Sequence, residues 1–261
     1  MRRPWDQLIR RAQQLTAAEN PASSLLAFYG AVLRAQLALH DALMVTGETR
    51  LTGNLTHDLN LIRPHVPALL RSVAAAAPEP LASEARDRLE AGGAALDESL
   101  LAYWHSPSDR EFFAKMTMQP YLCALAQRDA KPLGRGLARA DNRCPFCGGA
   151  PQLSVLHAAP EGDGGGRSLL CAGCLTTWPF RRVLCPSCGE EDERKLGYFR
   201  VDDFDHVRID ACDSCRHYQK SIDLTRLGLA VPLVDDVATA SLDVWARDRD
   251  YVKIELNLVG L

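Results

Sequence analysis

Apolar residues dominate the first 130 or so positions and recur at helical spacing. Leu25, Phe28, Tyr29, Val32, Leu33, Leu37, Leu39 and Leu43 form one broad apolar face, the period-3.6 pattern of a helix packed on a core. Prolines 64, 67, 78 and 80 then break the chain and predict helices over roughly 66–76 and 81–104. A further helix is expected after Ser106-Pro107-Ser108-Asp109. It runs through Phe112, Met116 and Leu122 to about 129, and Pro120 should start or kink one of its turns.

The pattern changes near residue 131. Residues 131–143 are rich in Gly, Arg and Ala and read as a linker. Beyond them the apolar pieces are short and strand-like, at 152–157, 167–170, 198–201 and 206–209, with the glycine-rich 161–166 as a turn. Asp202-Asp203-Phe204-Asp205 reads as a turn between two strands. Helical spacing returns over 233–245, through Val237, Ala240, Leu242 and Trp245, and 254–259 predicts a short final strand. The expected fold class is α+β and multidomain. An N-terminal all-helical bundle (1–130) and a linker (131–143) lead into two tandem rubredoxin-like or zinc-ribbon modules with short β-hairpins (144–180 and 181–220). A C-terminal helix and strand (221–261) close the chain.

The modules are defined by cysteine. Eight of the nine cysteines fall into four Cys-x-x-Cys pairs: Cys144/Cys147, Cys171/Cys174, Cys185/Cys188 and Cys212/Cys215. A shift of 41 residues carries the first two pairs onto the last two, and Cys-Pro-Phe-Cys-Gly at 144–148 returns as Cys-Pro-Ser-Cys-Gly at 185–189. This is a tandem duplication of a small unit with four thiols per copy. Four thiolates suit one tetrahedral zinc or iron ion, so two metal sites are expected. Sequential pairing would unite Cys144, Cys147, Cys171 and Cys174, and separately Cys185, Cys188, Cys212 and Cys215; interleaved pairing is the alternative. Duplication of a self-contained unit favours the sequential form. The ninth cysteine, Cys123, lies in an apolar helical run and reads as a buried, inert thiol.

Disulfides are the competing use of paired cysteines, but they belong to oxidising compartments. The opening Met1-Arg-Arg-Pro-Trp-Asp-Gln-Leu-Ile-Arg-Arg has no apolar run of the kind a signal peptide needs. No stretch approaches the ~18 apolar residues of a membrane span. A cytoplasmic protein with metal-bound thiols is the expectation. Redox chemistry at an isolated Cys-x-x-Cys usually sits in a βαβ setting, and no such pattern surrounds these pairs.

Charge and motifs narrow the function. Residues 144–220 hold 9 Lys/Arg against 11 Asp/Glu, and each divalent tetrathiolate adds two further negative charges. Phosphate neutralisation drives nucleic-acid affinity, so this acidic module makes a nucleic-acid-binding zinc ribbon the weakest reading. No P-loop, Gly-x-Ser-x-Gly or His-Glu-x-x-His motif is present. His157, His206 and His217 read as surface or hairpin histidines, because four sulfurs already complete each site. A closed four-cysteine site leaves no position for substrate. The chain is therefore expected not to be an enzyme.

The run Cys144-Pro-Phe-Cys-Gly-Gly, then Leu170-Cys-Ala-Gly-Cys-Leu-Thr-Thr-Trp178, then Arg182-Val-Leu-Cys185-Pro-Ser-Cys, then Asp210-Ala-Cys-Asp-Ser-Cys215, resembles the formate dehydrogenase accessory protein (FdhE-type) family. Asp235-Asp236 and Ser241-Leu242-Asp243 are similar to the family pattern too, as is, more weakly, the stretch from Asn20-Pro21 to Ala35-Gln36 before Asp41. The resemblance spans roughly residues 20–250. It implies a cytoplasmic maturation factor that binds the catalytic subunit of a twin-arginine-exported formate dehydrogenase and assists its assembly or redox quality control. It also implies rubredoxin-like iron at the eight paired cysteines, with zinc as the substitute. A rubredoxin-type electron carrier or redox switch is the second reading. No nucleic acid and no membrane span are expected as partners, and a homodimer is left open.

Overall fold

Two long helices form the centre of the N-terminal part. The computed structural model describes residues 4–18, 20–45, 51–128, 131–133, 141–158 and 165–261. Helix α1 (Pro4–Ala17) packs on α2 (Ser23–Val45), which in turn contacts α4 (Val66–Ala76) and α6 (Phe112–Arg128). The short α3 (Leu55–Ile62) and the long α5 (Glu79–His105) complete the helical layer. Of the apolar face read from Leu25 to Leu43, Phe28, Tyr29, Val32, Leu33, Leu39 and Leu43 are buried in α2 and Leu25 and Leu37 are partly buried. Every residue of α6 from Phe113 to Leu125 is buried, so this helix has no polar face and serves as the core of its layer.

Pro120 lies inside α6 without ending it. A proline has no N–H to give to the carbonyl four residues earlier, which leaves the Met116 carbonyl in need of a donor. Gln36 of α2 supplies one, its Nε2 donating to Met116 O at 2.9 Å and also to Gln119 Oε1 at 3.0 Å. The expected single helix over 81–104 is broken instead at Gly92, whose φ of 80° and ψ of −174° leave helical space; only glycine adopts that backbone freely.

The C-terminal part is one sheet built from both repeats. Its strands are β1 (Pro151–His157), β2 (Gly166–Cys171), β3 (Thr177–Pro179), β4 (Leu196–Arg200), β5 (Val207–Cys212), β6 (His217–Asp223) and β7 (Val252–Lys253). The order is β3-β2-β1-β6-β5-β4, with β7 also against β6. Within each repeat the strands are antiparallel, and the repeats join through the parallel pair β1 and β6, Leu153 opposite Lys220 and Leu156 opposite Asp223. The duplicated units are thus fused edge to edge. Asp202–Phe204 forms the expected turn, as one 3-10 turn between β4 and β5.

Two further expectations need correction. The helix expected over 233–245 is two, α7 (Pro232–Ala238) and α8 (Ala240–Arg247), separated at Thr239. The cause is Lys220 of β6, fully buried, whose ammonium donates to the Asp236 and Thr239 carbonyls at the break. The final strand lies at Val252–Lys253 and not at 254–259, because only those two residues align with His217 and Tyr218 of β6. Strands β3 and β6, and helices α1 and α3, were not anticipated by the pattern. Residues 134–140 of the expected linker and 161–164 of the expected turn lie outside the described residues.

The two layers share one apolar core that runs from Trp5 in α1 through α6 to Leu258. Polar contacts lock them together. Arg11 of α1 makes a two-point ion pair with Asp235 of α7, at 3.0 and 2.6 Å. Gln119 of α6 donates to Ala172 O at 3.0 Å, and Lys115 pairs with Glu255.

Candidate metal centres

Each Cys-x-x-Cys pair sits on a tight turn whose shape is repeated at the 41-residue interval. Gly148 N donates to Cys144 O at 2.9 Å, and Gly189 N to Cys185 O at 3.0 Å. Both glycines have positive φ, 74° and 79°, which a side chain would oppose. The second turn of each repeat is matched just as closely. Leu175 and Arg216, each directly after the last cysteine of its repeat, are left-handed at φ 59° and 58°. Backbone N–H groups point at sulfur in both copies, from Gly173 to Cys171 Sγ at 3.3 Å and from Ser187 to Cys185 Sγ at 3.4 Å.

The structure brings the eight cysteines together four at a time, in sequential pairing. Cys144, Cys147, Cys171 and Cys174 form one cluster and Cys185, Cys188, Cys212 and Cys215 the other; within each, all sulfurs lie within 4.8 Å of one another. Cys144–Cys174 and Cys147–Cys171 approach to 3.5 and 3.4 Å, and Cys185–Cys215 and Cys188–Cys212 to 3.8 and 3.7 Å. A metal–sulfur bond of ~2.3 Å sets a tetrahedral sulfur–sulfur edge of about 3.8 Å. The two short edges of the second cluster match that spacing and those of the first are slightly tighter. Both clusters could therefore hold a metal ion.

Electrostatics favour a cation in the first cluster. Thiol hydrogen bonds from Cys147, Cys171 and Cys174 hold Cys144 far below the ordinary thiol range. Cys171 and Cys174 are pushed well up, first by their hydrogen bonds to Cys144 and then by those to Cys147. Four crowded sulfurs cannot all carry charge unless a positive ion sits between them.

The clusters differ in their surroundings. All four cysteines of the first are buried, whereas Cys188 of the second is exposed and Cys215 half-buried. Helix α6 accounts for the difference, since it covers only the first cluster. Its Leu122 packs over Gly173, and its Cys123 Sγ donates to Cys174 O at 3.1 Å. Cys123 is buried as expected, but it lies against the first cluster, and burial together with the nearby Cys147 raises its thiol pKa. Gly149 was not singled out by sequence reading, yet a Cβ there would lie 3.0 Å from Cys171 Sγ. The double glycine at 148–149, against the single one at 189, was the available signal.

The three histidines serve other ends. His157 Nε2 meets Ser168 Oγ at 3.1 Å, His206 Nε2 meets Asp235 Oδ1 at 2.9 Å, and His217 Nδ1 meets Cys215 O at 2.8 Å. Asp236 and Asp243, noted in the sequence, form a buried ionic cluster with Lys220 and Lys253. Lys253 Nζ lies 2.9 Å from Asp236 and 3.0 Å from Asp243, and Lys220 Nζ lies 2.9 Å from Asp236. No described helix is long and apolar enough to cross a membrane.

Comparison with known proteins agrees with this layout. Residues 143–182 match the family model "FdhE, central domain", and residues 183–259 match "FdhE, C-terminal domain". An FdhE homolog of Aquifex aeolicus is 36% identical over 149 residues, 57% of this chain and 51% of that protein. One from Shewanella oneidensis is 30% identical over 177 residues, 68% of this chain and 57% of that protein. The chain thus spans about half the length of the curated relatives it matches. The crystal structure of the FdhE protein from Pseudomonas aeruginosa superposes with a TM-score of 0.72 at 22% identity, over 98% of this chain and 95% of that one, and so shares the fold. Residues 143–259 thus match two consecutive domains of the FdhE family, and the chain as a whole shares the fold of an FdhE protein.

Proposed function

We propose that this protein is a cytoplasmic accessory factor of formate dehydrogenase. It binds the catalytic subunit during maturation, and its eight paired cysteines hold two metal ions. The observation that carries this reading is the pair of sequentially built tetrathiol clusters on one sheet, joined through a common core to a helical layer. A tetrahedral ion with four sulfurs has no open position for substrate. The metals therefore stabilise or sense, and the work of the protein is binding. The helical layer, the two cysteine modules and the C-terminal segment are the units through which we read that work.

The test is retention of a formate dehydrogenase catalytic subunit by the full-length protein, together with metal content after anaerobic purification. Retention with about two metal ions per chain is the expected result. Failure to retain the subunit in both reduced and oxidised buffers would remove the client assignment.

A second reading is favoured by the N–H groups of Gly173 and Ser187 that point at cysteine sulfur. Such hydrogen bonds tune the potential of iron bound to thiolates, so iron cycling between ferrous and ferric states would make the clusters redox sensors. Reversible bleaching of ferric tetrathiolate absorption on reduction supports that role. A protein that is fully functional with zinc alone rules it out.

A further inference from the structure

The two outer strands of the sheet are built differently. Strand β3 has three residues, a buried Trp178 and a terminal Pro179 without an N–H, devices that keep an edge from recruiting another strand. Strand β4 has five residues and no proline. It exposes Tyr198 and Phe199, at 65% and 38%, and among the described residues it pairs with β5 alone.

The internal repeat shows what such an edge accepts. In the first repeat Leu153, Ser154, Val155 and Leu156 stand opposite Leu170, Leu169, Ser168 and Arg167. In the second, Gly197, Tyr198, Phe199 and Arg200 stand opposite Ala211, Asp210, Ile209 and Arg208, and those partners lie 41 residues beyond their counterparts in the first repeat. Residues 197–200 are therefore the structural equivalents of 153–156. The outer side of 153–156 is covered by β6 in parallel register, Leu153 to Lys220 through Leu156 to Asp223. The same four positions of the second repeat have no such strand among the described residues.

We propose that the edge at 197–200 binds an extended segment of the partner polypeptide as a parallel strand. The segment alternates apolar and polar side chains. Ile222 stands opposite Val155 in the first repeat, and Phe199 takes the place of Val155. Phe199 rests on Trp245, ring centroids 4.8 Å apart, so an apolar side chain beside it extends an apolar surface. The other face of β4 borders a pocket of about 350 Å³ lined by Tyr198, Arg167, Arg182, Arg208, Asp210 and Glu193 among others. Arg208 lies over the Tyr198 ring at 5.2 Å, and the buried Arg167 Nε has no hydrogen-bond partner. Three guanidinium groups and two carboxylates, beside Cys185 and Cys212 of the second cluster, make this face polar, so a polar side chain suits the positions that border it. Main-chain bonds would supply affinity and the alternating side chains specificity.

This inference rests on the client-binding reading, and the experiment separates the two. p-Benzoyl-phenylalanine is introduced into the full-length protein at position 198, or at the exposed position 229 as a control, and each protein is irradiated with the formate dehydrogenase catalytic subunit. Cross-linking from 198 but not from 229, to a segment of alternating apolar and polar residues, is the expected result. Tyr198→Pro, with unchanged metal content and thermal transition, should lower retention at least tenfold. Retention by wild-type protein with no cross-link from 198, or with equal yields from both positions, overturns the edge assignment alone. A cross-link between two copies of this chain overturns it in favour of self-association. No retention by wild-type protein removes the client, and the edge assignment falls with it. Should Tyr198→Pro not fold, the cross-link decides.

Discussion

Cys147 and Cys188 hold the same place in the two repeats, 41 residues apart, yet Cys147 is 1% exposed and Cys188 lies on the surface. Ligand substitution at a tetrathiolate needs an incoming donor to reach the metal. The second cluster is open to one and the first lies under α6. With both sites loaded, a chromophoric chelator should remove one ion at least ten times faster than the other. Cys188→Ser should abolish the fast phase and leave the slow one. Release of two ions in a single phase would show that the burial difference has no kinetic consequence.

Cysteine substitutions should divide by cluster membership. Cys171 is fully buried in the first cluster, and a structural tetrathiolate contributes on the order of 10 kcal/mol to folding, much of it lost with one ligand. Cys171→Ser should therefore lower the thermal transition steeply. Cys123→Ser keeps a donor within reach of Cys174 O and should cost no more than about 1 kcal/mol. Differential scanning calorimetry of the metal-loaded proteins makes the comparison, and equal transitions would contradict the ligand role of Cys171.

Gln36 substitutes for a missing helical hydrogen bond at Met116. Gln36→Leu strands a buried carbonyl and should cost about 1–3 kcal/mol. Pro120→Ala restores the N–H that α6 lacks, so it should recover part of that loss in the Gln36→Leu background. A double-mutant cycle by urea unfolding measures the coupling. Strict additivity would show that Gln36 and Pro120 are independent.

Burial alone would raise the Asp236 pKa, but Lys220 and Lys253 outweigh it and hold the carboxyl well below the ordinary range. A group whose pKa is lower folded than unfolded stabilises the fold above its unfolded value, and that stability is lost as pH falls towards the folded one. Asp236→Asn should cost about 3–5 kcal/mol at neutral pH, because it leaves two buried ammonium groups short of countercharge. The gap between variant and wild type should narrow from about pH 5 downwards. Urea unfolding of both proteins at each pH tests this, since acid release of metal affects the two alike. A gap constant with pH would contradict the coupling.

How much was legible in the sequence depends on how local the signal was. A Cys-x-x-Cys turn is closed by bonds between near neighbours in the chain, such as Gly148 N to Cys144 O, so spacing alone reveals it. The 41-residue shift identified the repeat and led to sequential pairing. Helices α2 and α4 were legible because each buries a continuous apolar face. Strand β6 was not. Its Gln219, Lys220, Ser221 and Asp223 are buried polar residues, whose partners come from β1, β2, β4, β5, α7, α8 and the turn after β6 and leave no apolar alternation to read. Lys220 also splits the expected helix at Thr239, a contact made 19 residues away.

The order of residues thus dictated the chemistry of this protein: eight thiols, four to a cluster, in two copies of one unit. The difference between the copies came from packing. One cluster lies beneath α6 while the other meets solvent, and one copy's edge is covered by β6 while the other's has no such strand among the described residues. A turn forms from the bonds within it, whereas burial depends on what distant segments bring to a surface. Two nearly identical local units therefore acquire different accessibility.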